Sequence, residues 1–323
     1  MKNNSLFLYK YQPTTFQQFF NDNKYCIQFL YNIFKNKHIK LLIVGNSETG
    51  KTTLIKIIIQ EYFKFYNLSY DKNCIIYINH FFLENNSNYL FQELNNICKQ
   101  TYAYKNKKKI IVIDDFDFFS DTQQKIFKNY IDLYSKNIIF LFSCNNTLKI
   151  NNNIYTRLYV IQIPKNDYET SYKIVKNIID NENIHINQNI IDYIIHSTKF
   201  NIKTIINILE KIKLYKKKIN IHNIKTILNH IQFNCYDKYI YHLQNKNICD
   251  AIIIFNNIYK QGYSIMDIFN HFYKYILQNN ILQQNYKYKI IKIISKYFSI
   301  YHMNDNLIIL SLFTFEVFNY IYY

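Results

Sequence analysis

Two kinds of apolar pattern run along the chain. Residues 41–44, 110–113 and 137–143 are short, nearly unbroken apolar runs, each ending in polar residues. A strand buried on both faces has no polar side to show, so such runs predict strands of a parallel sheet. In residues 53–65, 166–183, 187–197 and 201–215 the apolar positions instead return every three or four residues. That spacing predicts amphipathic helices. From about Cys235 to Tyr323 only the helical period remains, broken by short loops. Strands interleaved with helices, followed by helices alone, predict an α/β domain joined to an all-α one.

Composition narrows the class. A chain of 323 residues is long enough for about two domains. With 49% apolar and 18% aromatic residues it can bury real cores, which excludes a disordered tail. No apolar run approaches the roughly 20 residues a membrane helix needs. Met1 to Asn4 are not followed by an apolar leader, so secretion is not expected. The six cysteines include no C-x-x-C pair, so neither a zinc ribbon nor a disulfide framework is expected. A reduced, intracellular protein without a membrane anchor is the expectation.

Lys plus Arg number 39 and Asp plus Glu 22, a net charge of +17. Such an excess suits an acidic partner, nucleic acid or an anionic membrane. The abundance of Asn, Ile, Lys and Tyr also fits A/T-rich coding, which would produce the same excess, so charge alone does not choose. The bias makes rare residues informative. There are three glycines (Gly45, Gly50, Gly262), two prolines (Pro13, Pro164) and one arginine, Arg157.

Two of those glycines bound Gly45-Asn46-Ser47-Glu48-Thr49-Gly50-Lys51-Thr52, a G-x-x-x-x-G-K-T loop between an expected strand and an expected helix. In that context backbone N–H groups can cradle phosphates, Lys51 can reach the β/γ-phosphates, and the Thr52 hydroxyl can hold Mg²⁺. A second expected strand ends in Asp114-Asp115. Paired acids at a strand end also serve as solvated turns or caps, but beside such a loop they fit a metal site. Asp114 would then join the Mg²⁺ shell, and Asp115 would orient or deprotonate the attacking water. The third strand leads into Cys144-Asn145-Asn146, where an amide can hold that water or simply turn the chain. These residues point to an ATPase or GTPase.

In this order the motifs resemble the AAA+ clamp-loader ATPases, specifically the small subunits of replication factor C. Lys10-Tyr11-Gln12-Pro13-Thr14-Thr15-Phe16 is similar to the family's K-Y-R-P-x-T-[LF] opening, which packs near the adenine. Phe142-Ser143-Cys144-Asn145-Asn146 is similar to the sensor 1 segment and makes Asn145 the sensor. Thr156-Arg157-Leu158 falls on the S-R-C motif, whose arginine reaches a neighbouring subunit's ATP in trans. Phe200 to Leu209 is similar to the sensor 2 segment, with Lys203 in place of its arginine, and Lys260-Gln261-Gly262 resembles a turn in the collar. The helix expected after Ser120 lines the DNA chamber in the family, which makes Lys128 a DNA-contact candidate.

The resemblance implies an α/β AAA+ P-loop core over residues 1–164, a three-helix lid over 165–227 and an all-α collar over 228–323. It implies ATP and Mg²⁺ as cofactors, with Tyr11, Pro13 and Gly45 through Thr53 around the nucleotide. Other clamp-loader subunits in a hetero-pentamer, a sliding clamp and primer–template DNA are the implied partners, at a nucleus or a viral replication site. Three departures stand out: Asp115 replaces a Glu, Glu48 replaces a loop Gly, and Gln12 and Lys203 replace arginines. They leave open slow hydrolysis, or a subunit that binds ATP as a structural switch. Another AAA+ DNA-remodelling ATPase is the alternative within enzymes.

Overall fold

Strands with apolar residues on both faces decide the layering of the first half of the chain. The computed structural model describes residues 6–20, 24–36, 38–79, 92, 94–99, 108–215, 233–278, 283–301 and 307–322. Its strands are β1 (Lys40–Val44), β2 (Ile75–Ile78), β3 (Lys109–Ile113), β4 (Ile138–Cys144) and β5 (Tyr159–Gln162). All pair in parallel in one sheet of order β2-β3-β4-β1-β5.

Successive side chains of a strand point to opposite faces. Leu41, Ile43, Ile110, Val112, Ile139 and Leu141 therefore join one core, with residues of the helices α2 (Phe16–Phe20), α3 (Lys24–Lys35) and α4 (Lys51–Phe65). The residues between them, including Leu42, Ile111, Ile113, Phe140 and Phe142, join a second core on the other face. There they meet α5 (Asp121–Tyr134) and the short α6 (Asn152–Tyr155). A four-residue helix, α1 (Phe7–Lys10), precedes α2.

The three strands read from the sequence are β1, β3 and β4, each shifted by at most a residue. β2 and β5 are not apparent in the sequence because each has only four residues and neither is fully buried. β5 is an edge strand with Tyr159 and Gln162 exposed, so it lacks the unbroken apolar run of a covered strand. The helix after the glycine loop begins at Lys51, two residues earlier than its apolar period indicates.

The chain divides into two compact units, Met1–Lys217 and Lys218–Tyr323. Beyond the sheet the first unit adds α7 (Tyr168–Glu182), α8 (Gln188–Ser197) and α9 (Ile202–Tyr215), within two residues of the expected limits. The expected boundary at 227/228 lies outside the described residues. The second unit is helical: α10 (Phe233–Gln244), α11 (Ile248–Lys260), α12 (Ile265–Gln278), α13 (Gln284–Tyr301) and α14 (Ile308–Tyr322). It has its own core, in which Tyr236, Tyr239, Phe255, Phe269, Phe272 and Phe313 are fully buried. Gly262 follows α11 with φ +94°, the left-handed conformation that ends a helix most easily as glycine. Among the described residues no helix is long and apolar enough to cross a membrane.

Candidate nucleotide site

In a parallel sheet every strand delivers its carboxyl end to the same edge, where open α/β sheets bind ligands. β4 lies between β1 and β3, in a register that sets Val44 opposite Cys144 and Ile113 opposite Phe142. The loops after these three strands are therefore neighbours, although their sequences are far apart.

The glycine loop leaves β1 with the Gly45 amide donating to the Cys144 carbonyl at 3.2 Å. A Cβ on Gly45 would lie 2.7 Å from Thr49 Oγ1 and 3.3 Å from Ile163 Cβ, so the turn has no room for one. Gly50 has φ +94° and packs against the Phe19 ring of α2. No side chain caps the first turn of α4, which leaves its N–H groups available to an anion.

The Lys51 side chain is held inside this turn. Its ammonium donates to the carbonyls of Gly45 (3.1 Å) and Asn46 (2.9 Å) and to Asn145 Oδ1 (2.6 Å). Those bonds use all the donors an ammonium has, which is what allows a lysine to be buried. Thr52 Oγ1 donates to Asp114 Oδ2 at 3.1 Å. Asn145 Nδ2 donates to Asp115 Oδ1 at 3.3 Å, so one amide bridges Lys51 and Asp115. Lys51, Thr52, Asp114, Asp115 and Asn145, expected from three separate motifs, thus form one connected group.

Two members of the group are missing from the sequence reading. Ser143 donates through Oγ to Asp114 Oδ1 and accepts from the Asp115 amide at 2.9 Å, fixing both acids. Asp117 Oδ1 accepts from the Asn145 amide at 3.2 Å. Ser143 could have been noticed as a hydroxyl in an otherwise apolar strand. Asp117 carries no local signal, since only the turn after β3 brings it back to β4.

Asp115 adopts φ 52°, a left-handed conformation unusual for a residue with a side chain. Burial, then the neighbouring Asp114 carboxylate, raises the Asp115 pKa above its ordinary value, against the opposing pull of Lys51 and Asn145.

The Thr52 hydroxyl and the Asp114 carboxylate are the hard oxygen donors that Mg²⁺ prefers. That ion keeps most of its shell as water and phosphate and takes only one or two protein oxygens. Among the described residues no group of three or more His, Cys, Asp or Glu is arranged to hold a metal ion. A nucleotide-borne Mg²⁺ does fit. ATP would supply the transferable phosphoryl group; Lys51 would exchange bonds to the loop carbonyls for its phosphates, which the loop amides would also hold.

The remaining expected residues are placed as follows. Ser47 and Glu48 are exposed at the tip of the loop, with Glu48 at φ 65°, and Thr49 donates to the Asn46 carbonyl at 2.9 Å. Gln12 Nε2 donates to Thr53 Oγ1 at 3.1 Å, which brings the N-terminal segment holding Pro13 to the start of α4. The Tyr11 hydroxyl is taken by Glu182 at 2.6 Å. Arg157 stands beyond α6, where Nε donates to Asp132 Oδ1 at 2.8 Å and Nη1 to the Asn153 carbonyl at 2.5 Å. Lys203 is exposed in the first turn of α9, and Lys128 is half-buried on α5.

Residues 41–164 match the family described as ATPase family associated with various cellular activities, and residues 235–298 match the replication factor C C-terminal domain. The chain joins an AAA+ ATPase domain to a replication-factor-C-type domain. Curated relatives similar to this AAA+ chain are divergent. A protein of Acanthamoeba polyphaga mimivirus assigned as a replication factor C small subunit is 24% identical over 92% of this chain and 91% of its own length. Replication factor C subunit 4 of Encephalitozoon cuniculi is 21% identical over 83% and 84%. Among solved structures, one described as a DNA replication initiation factor superposes with a TM-score of 0.58 at 17% identity, covering 93% of this chain and 95% of that one. The RuvB protein of Thermotoga maritima gives 0.52 at 13% identity over 68% and 72%. At these identities the two structures bear on the fold alone.

Proposed function

We propose that this chain is a small subunit of a clamp loader, one of several ATPase subunits that open a sliding clamp and place it on primer–template DNA. One observation carries the reading: the Lys51–Thr52–Asp114–Asn145 group occurs in the same chain as a replication-factor-C-type C-terminal domain. The three-helix segment after the sheet acts as the lid, and the second unit as the collar through which subunits associate. ATP and Mg²⁺ bind at Gly45 through Thr53 and at Asp114.

Each residue then has a physical role. Asn145 holds Asp115 and Lys51 in one frame, and Asp115 directs the attacking water. Arg157 serves the ATP of a neighbouring subunit, a task for a planar, permanently charged fork that lysine does not reproduce. Lys128 and other lysines track the DNA backbone, Lys203 faces the nucleotide from the lid, and the work takes place in a nucleus or at a viral replication site. Hydrolysis here is slow. Asp115 is one methylene shorter than the usual Glu, and its side chain is already engaged by Asn145. ATP in this subunit therefore acts chiefly as a switch.

The test is to purify the tagged chain with ATP and Mg²⁺ from its source cells, weigh the complex and identify its members. An assembly of related ATPases that retains a ring clamp supports the reading. A ring made of this chain alone and indifferent to a clamp would replace it with a DNA-remodelling motor.

A further inference from the structure

A buried carboxylate away from the phosphates gathers donors from two other elements. Glu182 ends α7, and its side chain is 4% exposed. Its Oε1 accepts from Lys10 Nζ at 2.5 Å and from the Tyr11 hydroxyl at 2.6 Å, and its Oε2 accepts from Lys213 Nζ of α9. The Lys213 ammonium also lies 5.5 Å from the centre of the Phe7 ring in α1. Gln12, the residue after Tyr11, bonds to Thr53 in the first turn of α4. Thr53 is the immediate neighbour of Thr52, which touches Asp114. An unbroken path of hydrogen bonds and backbone thus joins the phosphate-loop helix to α7 and α9.

The energetics make that path a discrete connection. A buried carboxylate stripped of its donors is strongly disfavoured, so Glu182 holds its partners together or not at all. The lysine side chains are 49% and 46% exposed, so each returns readily to water when released. Because the donors to this one anchor come from α1, its following residue and α9, moving α7 or α9 disturbs the contacts of residues 10–12.

We propose that Glu182 is a positioning residue that ties α7 and α9 to the phosphate-loop helix through residues 10–12, so that nucleotide at Lys51–Thr53 and the placement of these helices are coupled. This rests on the nucleotide reading above and adds the residue that transmits it.

The test uses the full chain, a fluorescent ATP analogue with Mg²⁺, and hydrogen–deuterium exchange of residues 202–215 with and without ATP. Glu182→Gln weakens ATP binding about five- to tenfold and removes the ATP-dependent change in exchange at 202–215. Gln12→Ala added to Glu182→Gln brings no further loss, because both break one path. Should Glu182→Gln fold poorly, Lys10→Met and Lys213→Met carry the same measurement with the anchor retained, and each weakens the ATP-dependent change. Unaltered ATP affinity and unaltered ATP-dependent exchange in these variants, with only a lower melting temperature, would make Glu182 a structural tie and overturn the proposal. Wild-type chain that binds ATP no better than Lys51→Ala would overturn the nucleotide reading itself, and this proposal with it.

Discussion

Glu48 occupies the loop position where its charge and its conformation both work against a phosphate ligand. It is exposed at φ 65°, a conformation costing a side-chain-bearing residue about 1–2 kcal/mol. Glu48→Gly removes that strain and the negative charge, against some loss to the greater freedom of an unfolded glycine. Denaturant unfolding should show about 0.5–1 kcal/mol of added stability, and equilibrium titration should show tighter ATP binding. Lower stability with unchanged affinity would mean that this loop conformation is not the bound one. The residues of this site were legible in the sequence where a motif fixes chemistry to spacing, as at Lys51, Thr52 and Asp114. Ser143, Asp117 and Glu182 were not, because each acts on a partner that only the fold brings near.

Among the elements, α5 has the clearest local code. Ser120 Oγ accepts from the Gln123 amide, and Gln123 Oε1 accepts from the Ser120 amide at 3.0 Å, a closed capping box. Ser120→Ala should cost about 1 kcal/mol in denaturant unfolding, with no change in ATP affinity. The connection from α1 to α7 and α9 has a pH signature. Burial raises the pKa of Glu182, but hydrogen bonds from Lys10, Lys213 and Tyr11 outweigh it and hold the carboxyl at about 2, below the ordinary 4.5. A carboxylate with a depressed folded pKa stabilises fully above its unfolded value and loses that contribution as pH falls through the folded one. The stability difference between wild type and Glu182→Gln should therefore be constant above about pH 4.5 and shrink toward pH 2. A difference that does not vary with pH would mean the ion pairs are not formed in solution. Covered strands, the helix after the phosphate loop and the helices beyond the sheet were readable from periodicity because burial imposes it; the amphipathic α3 was not read. α1, β2 and β5 were not, since four residues hold about one helical turn or two strand alternations, too few to establish a period.

At the scale of the whole molecule, a parallel sheet brings motifs from three loops to one edge, and a separate helical unit follows. The order of motifs indicated both parts. It did not indicate that β4 would lie between the strands bearing the phosphate loop and the paired acids, the placement that lets Asn145 bridge Lys51 and Asp115. Arg157 belongs to this scale because its proposed substrate is on another subunit. Its present partner, Asp132, is an exposed acid it can leave at little cost. Arg157→Lys should lower ATP turnover at the neighbouring subunit's site at least about tenfold, read in an assembly whose other sites are inactivated, while ATP affinity of this chain stays the same. An equal loss in the isolated chain would place the arginine at its own nucleotide instead. The decisive measurement is transfer of the ring clamp onto primed circular DNA by the purified assembly, scored as clamp that stays on the circle and slides off after the DNA is cut. Transfer that requires ATP and fails with Lys51→Ala in this chain is the expected result. An assembly that hydrolyses ATP on DNA yet leaves the clamp in solution would contradict the clamp-loader reading.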